Sequence, residues 1–153
     1  MDELNSMIIS IEKHIESTGN FFIGDILKRY NGNDWLNHID HSTTGLTRNK
    51  IYISNDIEVI ILSWNSGYET LPHDHSENGC WLKMLKGNVI ETQYRDKQSN
   101  LIQRGETNLI TEGQISFMCN DFGYHSIKND TEDIVFSLHI YSPPLHKTKY
   151  FSV

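Results

Sequence analysis

Cysteine is scarce in this 153-residue sequence: only Cys80 and Cys119 are present, so no disulfide framework is implied and each thiol needs its own explanation. Positive charge is also scarce. Thirteen Lys and Arg against twenty Asp and Glu give a formal charge of -7, and no basic stripe concentrates the cations, which argues against nucleic acid as a partner. No apolar run approaches the roughly 18 residues of a membrane span. The start, Met1-Asp2-Glu3-Leu4-Asn5, lacks the basic flank and apolar stretch of a secretory signal. With no linker, repeat or low-complexity segment, the reading is one cytoplasmic domain over residues 1–153, expected to be monomeric. The length suits a single core.

What is present divides the chain in two. Leu4, Met7, Ile8, Ile11 and Ile15 recur at helical spacing before Gly19, predicting an amphipathic helix with a glycine stop. Phe22, Ile26, Leu27 and Tyr30 predict a second, shorter helix closed by Asn31-Gly32, and Trp35 and Leu36 a third short one. From about residue 46 the texture changes to β-branched and aromatic runs separated by turn residues, at 50–54, 57–64, 80–86, 89–94, 108–111, 115–119 and 134–141. Asn55-Asp56 and Gly87-Asn88 read as hairpin separators. The expected fold is mainly β: a helical part over 1–45 packed on a small β-barrel over 46–153.

The chemistry-bearing residues begin with Leu71-Pro72-His73-Asp74-His75. In an extended chain residues two apart face the same way, so both imidazoles can reach one ion. Alone, such a pair is commonly a surface or structural feature. Here five residues separate Gly67 from His73, Gly87 follows the next strand, and Gly113 leads toward Tyr124-His125-Ser126-Ile127-Lys128-Asn129. The arrangement resembles the two-part cupin signature, which implies a small jelly-roll-like β-barrel with a metal held by His73, His75 and His125. The second part is one residue longer than usual, with Cys119 where proline is common. A cupin also usually supplies a ligating glutamate after the histidine pair. Cys80 stands in that place, and Glu77 is wrongly spaced. Three neutral imidazoles leave the ion's full charge for an anionic ligand.

Longer stretches sharpen the resemblance. Thr47-Arg48-Asn49, His73-Asp74-His75, the run from Cys80 to Asn88 (CWLKMLKGN), Glu91-Thr92, His125 and the run from Ser137 to Pro144 (SLHIYSPP) resemble the cysteine dioxygenase family from Thr47 to Pro144. The resemblance implies an Fe(2+) enzyme whose partners are a small-molecule thiol and O2, oxidising L-cysteine to cysteine sulfinic acid. It implies that Arg48 grips the substrate carboxylate, for which a planar fork suits better than a lysine. It further implies that Ser137 and His139 orient Tyr141, and that Cys80 and Tyr141 can join in a thioether. Ser137, His139 and Tyr141 alternate along one run, so they share a face. Three half-buried polar groups satisfying one another would look the same. Trp64 is expected near this row, and a cis bond before Pro143 is expected from the resemblance.

Departures from the family pattern are informative. Leu46 stands where animal-type members carry a tyrosine beside the arginine, and Gly79 where they carry a histidine beside the cysteine. Longer members continue past Pro144 with a segment over the site, and His146 and Tyr150 are left without an assigned use. Competing readings are a dioxygenase for another thiol such as 3-mercaptopropionate, whose subgroup tends to use glutamine in place of Arg48, and a non-catalytic metal cupin that senses a small ligand. A cupin isomerase or epimerase using another divalent metal is a third.

Overall fold

The computed structural model describes residues 2–41, 44–97, 100–103 and 105–152. It opens with α1 (Glu3–Thr18), where Asp2 caps the start by accepting from the Asn5 N–H at 2.7 Å. Gly19 ends it in the left-handed conformation (φ 71°), its N–H returning to the Ile15 carbonyl at 2.7 Å. Leu4, Met7, Ile8 and Ile11 form its buried stripe.

The second helix departs from expectation. α2 covers only Gly24–Arg29, with Phe22 outside it and 79% exposed, and Tyr30 rather than Asn31-Gly32 closes it. The reason is tertiary: Lys83 reaches up from the barrel and donates to the carbonyls of Leu27, Lys28 and Tyr30, satisfying the helix end without a glycine cap. A 3-10 turn over Asp34–His38 buries Trp35 against Phe136.

Nine strands follow among the described residues: β1 (Leu46–Ile53), β2 (Glu58–Trp64), β3 (Gly79–Lys86), β4 (Val89–Lys97), β5 (Asn100–Gln103), β6 (Asn108–Ile110), β7 (Ile115–Met118), β8 (Tyr124–Lys128) and β9 (Val135–Ser142). One antiparallel sheet has the order β1-β2-β9-β3-β7; in the other, β4 pairs with β5, β6 and β8. Asn55-Asp56 does join a hairpin, β1 to β2. Gly87-Asn88 does not, because β3 and β4 belong to different sheets, and the turn carries the chain across the barrel edge. Gly87 makes that crossing at φ 80°, and a Cβ there would lie 2.4 Å from a Val135 methyl. β5 and β8 lie in stretches that gave no strand signal, both being short and largely polar.

The central strands of the first sheet, β2, β9 and β3, are buried on both faces, and the two faces do different work. Val59 and Ile61 of β2, with Leu138 and Ile140 of β9, join the helical residues in one core; Ile60, Leu62 and Trp64, with Leu82, Met84, Val89, Ile110, Ile127 and Val135, fill the barrel between the sheets. Each fully buried aliphatic side chain contributes on the order of 2 kcal/mol of transfer free energy. The helices thus seal the outer face and leave the inner face of β9, with Ser137, His139 and Tyr141, turned into the barrel. No helix among the described residues is long and apolar enough to cross a membrane.

Candidate metal centre

The His-x-His segment is irregular chain between β2 and β3, yet it is fastened along β8. Gly67 donates to Asn129, Thr70 to Ile127 and His73 to His125 through backbone N–H groups at 2.8–3.0 Å. This lacing brings His125 opposite His73, 52 residues away in sequence. Asn129, the last residue of the second motif, is fully buried and holds the Trp64 and Asp133 carbonyls, so its part is to fix the loop. Asn120 clamps the backbone of His75 through both its amide atoms. Asp74, between the two histidines, points away from them and accepts from His146 Nε2 at 2.9 Å, as the alternation of an extended chain requires.

His73, His75 and His125 each offer one ring nitrogen within 4.8 Å of the others, and among the described residues no carboxylate joins them. Glu77 is exposed. The ring tautomers follow from the partners. His73 Nδ1 lies 2.9 Å from the Leu71 carbonyl and His125 Nδ1 2.9 Å from Glu91 Oε2, so both Nδ1 atoms carry the proton and donate. Their Nε2 atoms then face each other at 3.1 Å as bare lone pairs. Both nitrogens of buried His75 lack a hydrogen-bond partner among the described residues. Burial, followed by the nearness of His125, presses the His73 pKa down to about 4 and that of His75 to about 2, so neither ring takes up a proton near neutrality. Converging lone pairs in a buried site fit a cation, and the donor set suits a divalent first-row metal.

Glu91 was not assigned a role from sequence. It sits on β4 diagonally across from His125 and is 3% exposed. Burial alone would raise its pKa, but the hydrogen bond from His125 holds the carboxyl below its usual value. The overlooked signal is an acid on the core face of a strand, two residues from buried Val89.

Beside the histidines runs the polar row of β9. Trp64 Nε1, which can only donate, gives its hydrogen to Ser137 Oγ at 2.8 Å. The Ser137 hydroxyl then donates to His139 Nε2 at 2.7 Å, which leaves the His139 proton on Nδ1, facing Tyr141 Oη at 3.5 Å and Cys80 Sγ at 3.9 Å. In this direction the Tyr141 hydroxyl keeps its own proton, which can turn to its cross-strand neighbour Cys80 or into the pocket. Burial lowers the His139 pKa to about 3 and raises those of Cys80 and Tyr141, so all three are neutral. Cys80 and Tyr141 are direct cross-strand partners.

The cavity these groups share is small, about 40 Å³, and is lined by Arg48, His73, His75, Cys80, His125, His139 and Tyr141, with Leu46, Leu62 and Trp64 as apolar wall. Ser137 lies one hydrogen bond behind it. Arg48 comes from β1, whose next residue, buried Asn49, pins the strand by bonding the Ile61 carbonyl, Ser63 and the Asp40 N–H. His146, Thr148 and Tyr150 complete the rim, so the two residues left without a use in the sequence are brought to the site. The bond before Pro143 is cis. A larger cleft of about 630 Å³ between α1 and the barrel gathers none of the candidate site residues.

Comparison with known proteins agrees with this geometry. The family model described as cysteine dioxygenase type I matches residues 22–153. Cysteine dioxygenase type 1 of Bos taurus is 33% identical over 126 residues, covering 78% of this chain and 62% of that protein. The Danio rerio protein of the same name is 31% identical over 138 residues, covering 84% and 68%. The match thus spans 62% and 68% of the length of these two relatives. Among solved structures, a Klebsiella pneumoniae protein with a double-stranded β-helix domain superposes with a TM-score of 0.60 at 16% identity, over 80% of this chain and 90% of its own. Lactobacillus farciminis oxalate decarboxylase superposes with a TM-score of 0.57 at 14% identity, over 76% of this chain and 34% of its own. At those identities the likeness concerns the fold, which is that of a cupin, whereas the matched sequence model and relatives are specific: the chain belongs to the cysteine dioxygenase type I family.

Proposed function

We propose that this protein is a thiol dioxygenase that adds both atoms of O2 to the sulfur of free L-cysteine, giving cysteine sulfinic acid, with Fe(2+) held by His73, His75 and His125. The observation that carries the reading is a three-histidine cluster that no carboxylate among the described residues joins, sharing one cavity with Arg48, Cys80 and Tyr141. Iron bound there would supply the redox chemistry toward dioxygen and favour the thiolate form of a substrate sulfur beside it.

The chain's own residues do the rest. Arg48 receives the substrate carboxylate through its guanidinium fork and so fixes which end of the molecule meets the histidines. Tyr141, held as a donor by the Trp64-Ser137-His139 chain, offers its hydroxyl proton toward the reacting sulfur and oxygen. Leu46, Leu62 and Trp64 keep the cavity wall apolar, which limits water around a partly oxidised sulfur. Burial keeps the Cys80 thiol neutral, so it does not compete as an anion for the metal. Residues 1–153 act in this reading as one cytoplasmic, monomeric cupin domain without nucleic acid or membrane partners.

The test is oxygen consumption by the anaerobically iron-loaded protein on adding L-cysteine, with sulfinate measured as product. One sulfinate per O2 is expected, with loss of uptake in His125→Ala. Arg48 stands where the 3-mercaptopropionate subgroup tends to use glutamine, so L-cysteine should be used more efficiently than 3-mercaptopropionate. A folded, iron-loaded protein that consumes no oxygen with L-cysteine would overturn the proposal.

A further inference from the structure

The segment after β9 is not a loose tail. It returns across the His-x-His segment as a strap: Lys149 N–H donates to Asp74 Oδ1 at 2.8 Å, the Asp74 N–H to the Lys149 carbonyl at 3.1 Å, and the Phe151 N–H to the Pro72 carbonyl at 2.8 Å. His146 binds the same Asp74 oxygen, and the Phe151 ring packs on Tyr124 with centroids 4.6 Å apart. The strap sets Tyr150 opposite His73 and over the cavity, its ring 5.7 Å from that imidazole. Its hydroxyl oxygen accepts from Arg48 Nη2 at 3.1 Å.

From this geometry we infer that Tyr150 is a substrate-binding, specificity-determining residue, its hydroxyl completing with Arg48 a two-donor receiver for the carboxylate of the thiol substrate. The inference rests on the functional reading above and adds a residue to it. Among the described residues Arg48 has no carboxylate partner, so its charge is uncommitted where it meets the cavity. A phenol that accepts from a guanidinium keeps its own proton, and that proton is then available to an anion the guanidinium also holds. Leu46, two residues before Arg48 on the same strand face, brings no hydroxyl. Tyr150 is half-exposed, so it can shift outward to admit a ligand into a cavity of about 40 Å³ while the backbone of the strap stays tied to Asp74.

Two thiols that differ only in the carboxylate, L-cysteine and cysteamine, test it. Their dissociation constants are measured by calorimetry on anaerobic, Fe(2+)-loaded protein, and the KM for L-cysteine is measured in parallel. Tyr150→Phe keeps the ring and removes the hydroxyl. It should weaken L-cysteine about tenfold, leave cysteamine within about twofold, and raise KM with little change in kcat. An unchanged preference for L-cysteine, or an equal loss for both thiols, overturns the assignment. If wild type binds L-cysteine in preference but consumes no oxygen, the dioxygenase reading fails while this one stands. If wild type oxidises L-cysteine and Tyr150→Phe matches it in affinity and KM, this one alone fails.

Discussion

The contact between Glu91 and His125 carries a quantitative consequence for metal affinity. The two groups are 2.9 Å apart and nearly inaccessible, with exposures of 3% and 7%. Glu91 is also engaged from the other side by Gln93 Nε2 at 3.1 Å, so its orientation is fixed. By accepting from His125 Nδ1–H it leaves the Nε2 lone pair of His125 facing His73 and His75. A hydrogen bond to a charged group is worth about 1.5–3 kcal/mol, and at 1.36 kcal/mol per decade this is about 10- to 150-fold in affinity. That agrees with the roughly 10- to 100-fold usual for partners that orient a ligating histidine. Glu91→Gln retains an acceptor oxygen without the charge, and about tenfold weaker binding is expected. Glu91→Ala strands the Nδ1 proton in a buried site, and about 100-fold is expected. Competition of Fe(2+) or Co(2+) against a chelator under anaerobic conditions gives the constants, with circular dichroism confirming the fold. If both variants bind metal within about twofold of wild type, the tautomer argument is wrong, and the centre does not depend on this carboxylate.

The metal-free protein should lose stability on mild acidification, because His139 is held neutral with a pKa of about 3 against 6.5 when unfolded. Its contribution is complete above 6.5 and falls as pH drops toward 3, by about 1.4 kcal/mol at about pH 5.5, with His73 and His75 adding in the same direction. Urea melts between about pH 7.5 and 5.5 that show no change would refute this. Gly79→Ala should cost about 2–4 kcal/mol, since Gly79 has φ 105° and a Cβ there would meet Phe117 Cζ at 2.5 Å; denaturation midpoints within error of wild type would contradict it. Cys80 and Tyr141 should join on extended turnover, a ring C–H and the S–H giving a C–S bond while dioxygen takes up the two hydrogens. The intact mass should fall by two hydrogens and Cys80→Ser should abolish the change, whereas a free Cys80 thiol after prolonged turnover would count against the bond.

Much of this molecule is local enough to read from the chain. Helix α1 is written in the 3.6-residue recurrence of Leu4, Met7, Ile8, Ile11 and Ile15 with Asp2 and Gly19 at its ends. The shared face of Ser137, His139 and Tyr141 follows from the two-residue period of a strand, as does the pairing of His73 with His75 across Asp74. These depend only on backbone geometry within a few residues. Tertiary structure decided what depends on contacts between distant segments. α2 stops where it does because Lys83, more than fifty residues on, takes its last carbonyls. Gly87-Asn88 has the composition of a hairpin but crosses between sheets, since turn chemistry fixes the local bend and not the strand that the chain joins next. Glu91 meets His125 only through the register of β4 with β8, and Tyr150 meets Arg48 across 102 residues through a strap anchored on Asp74. No spacing rule encodes such separations, because the partner is chosen by which surfaces the barrel brings together.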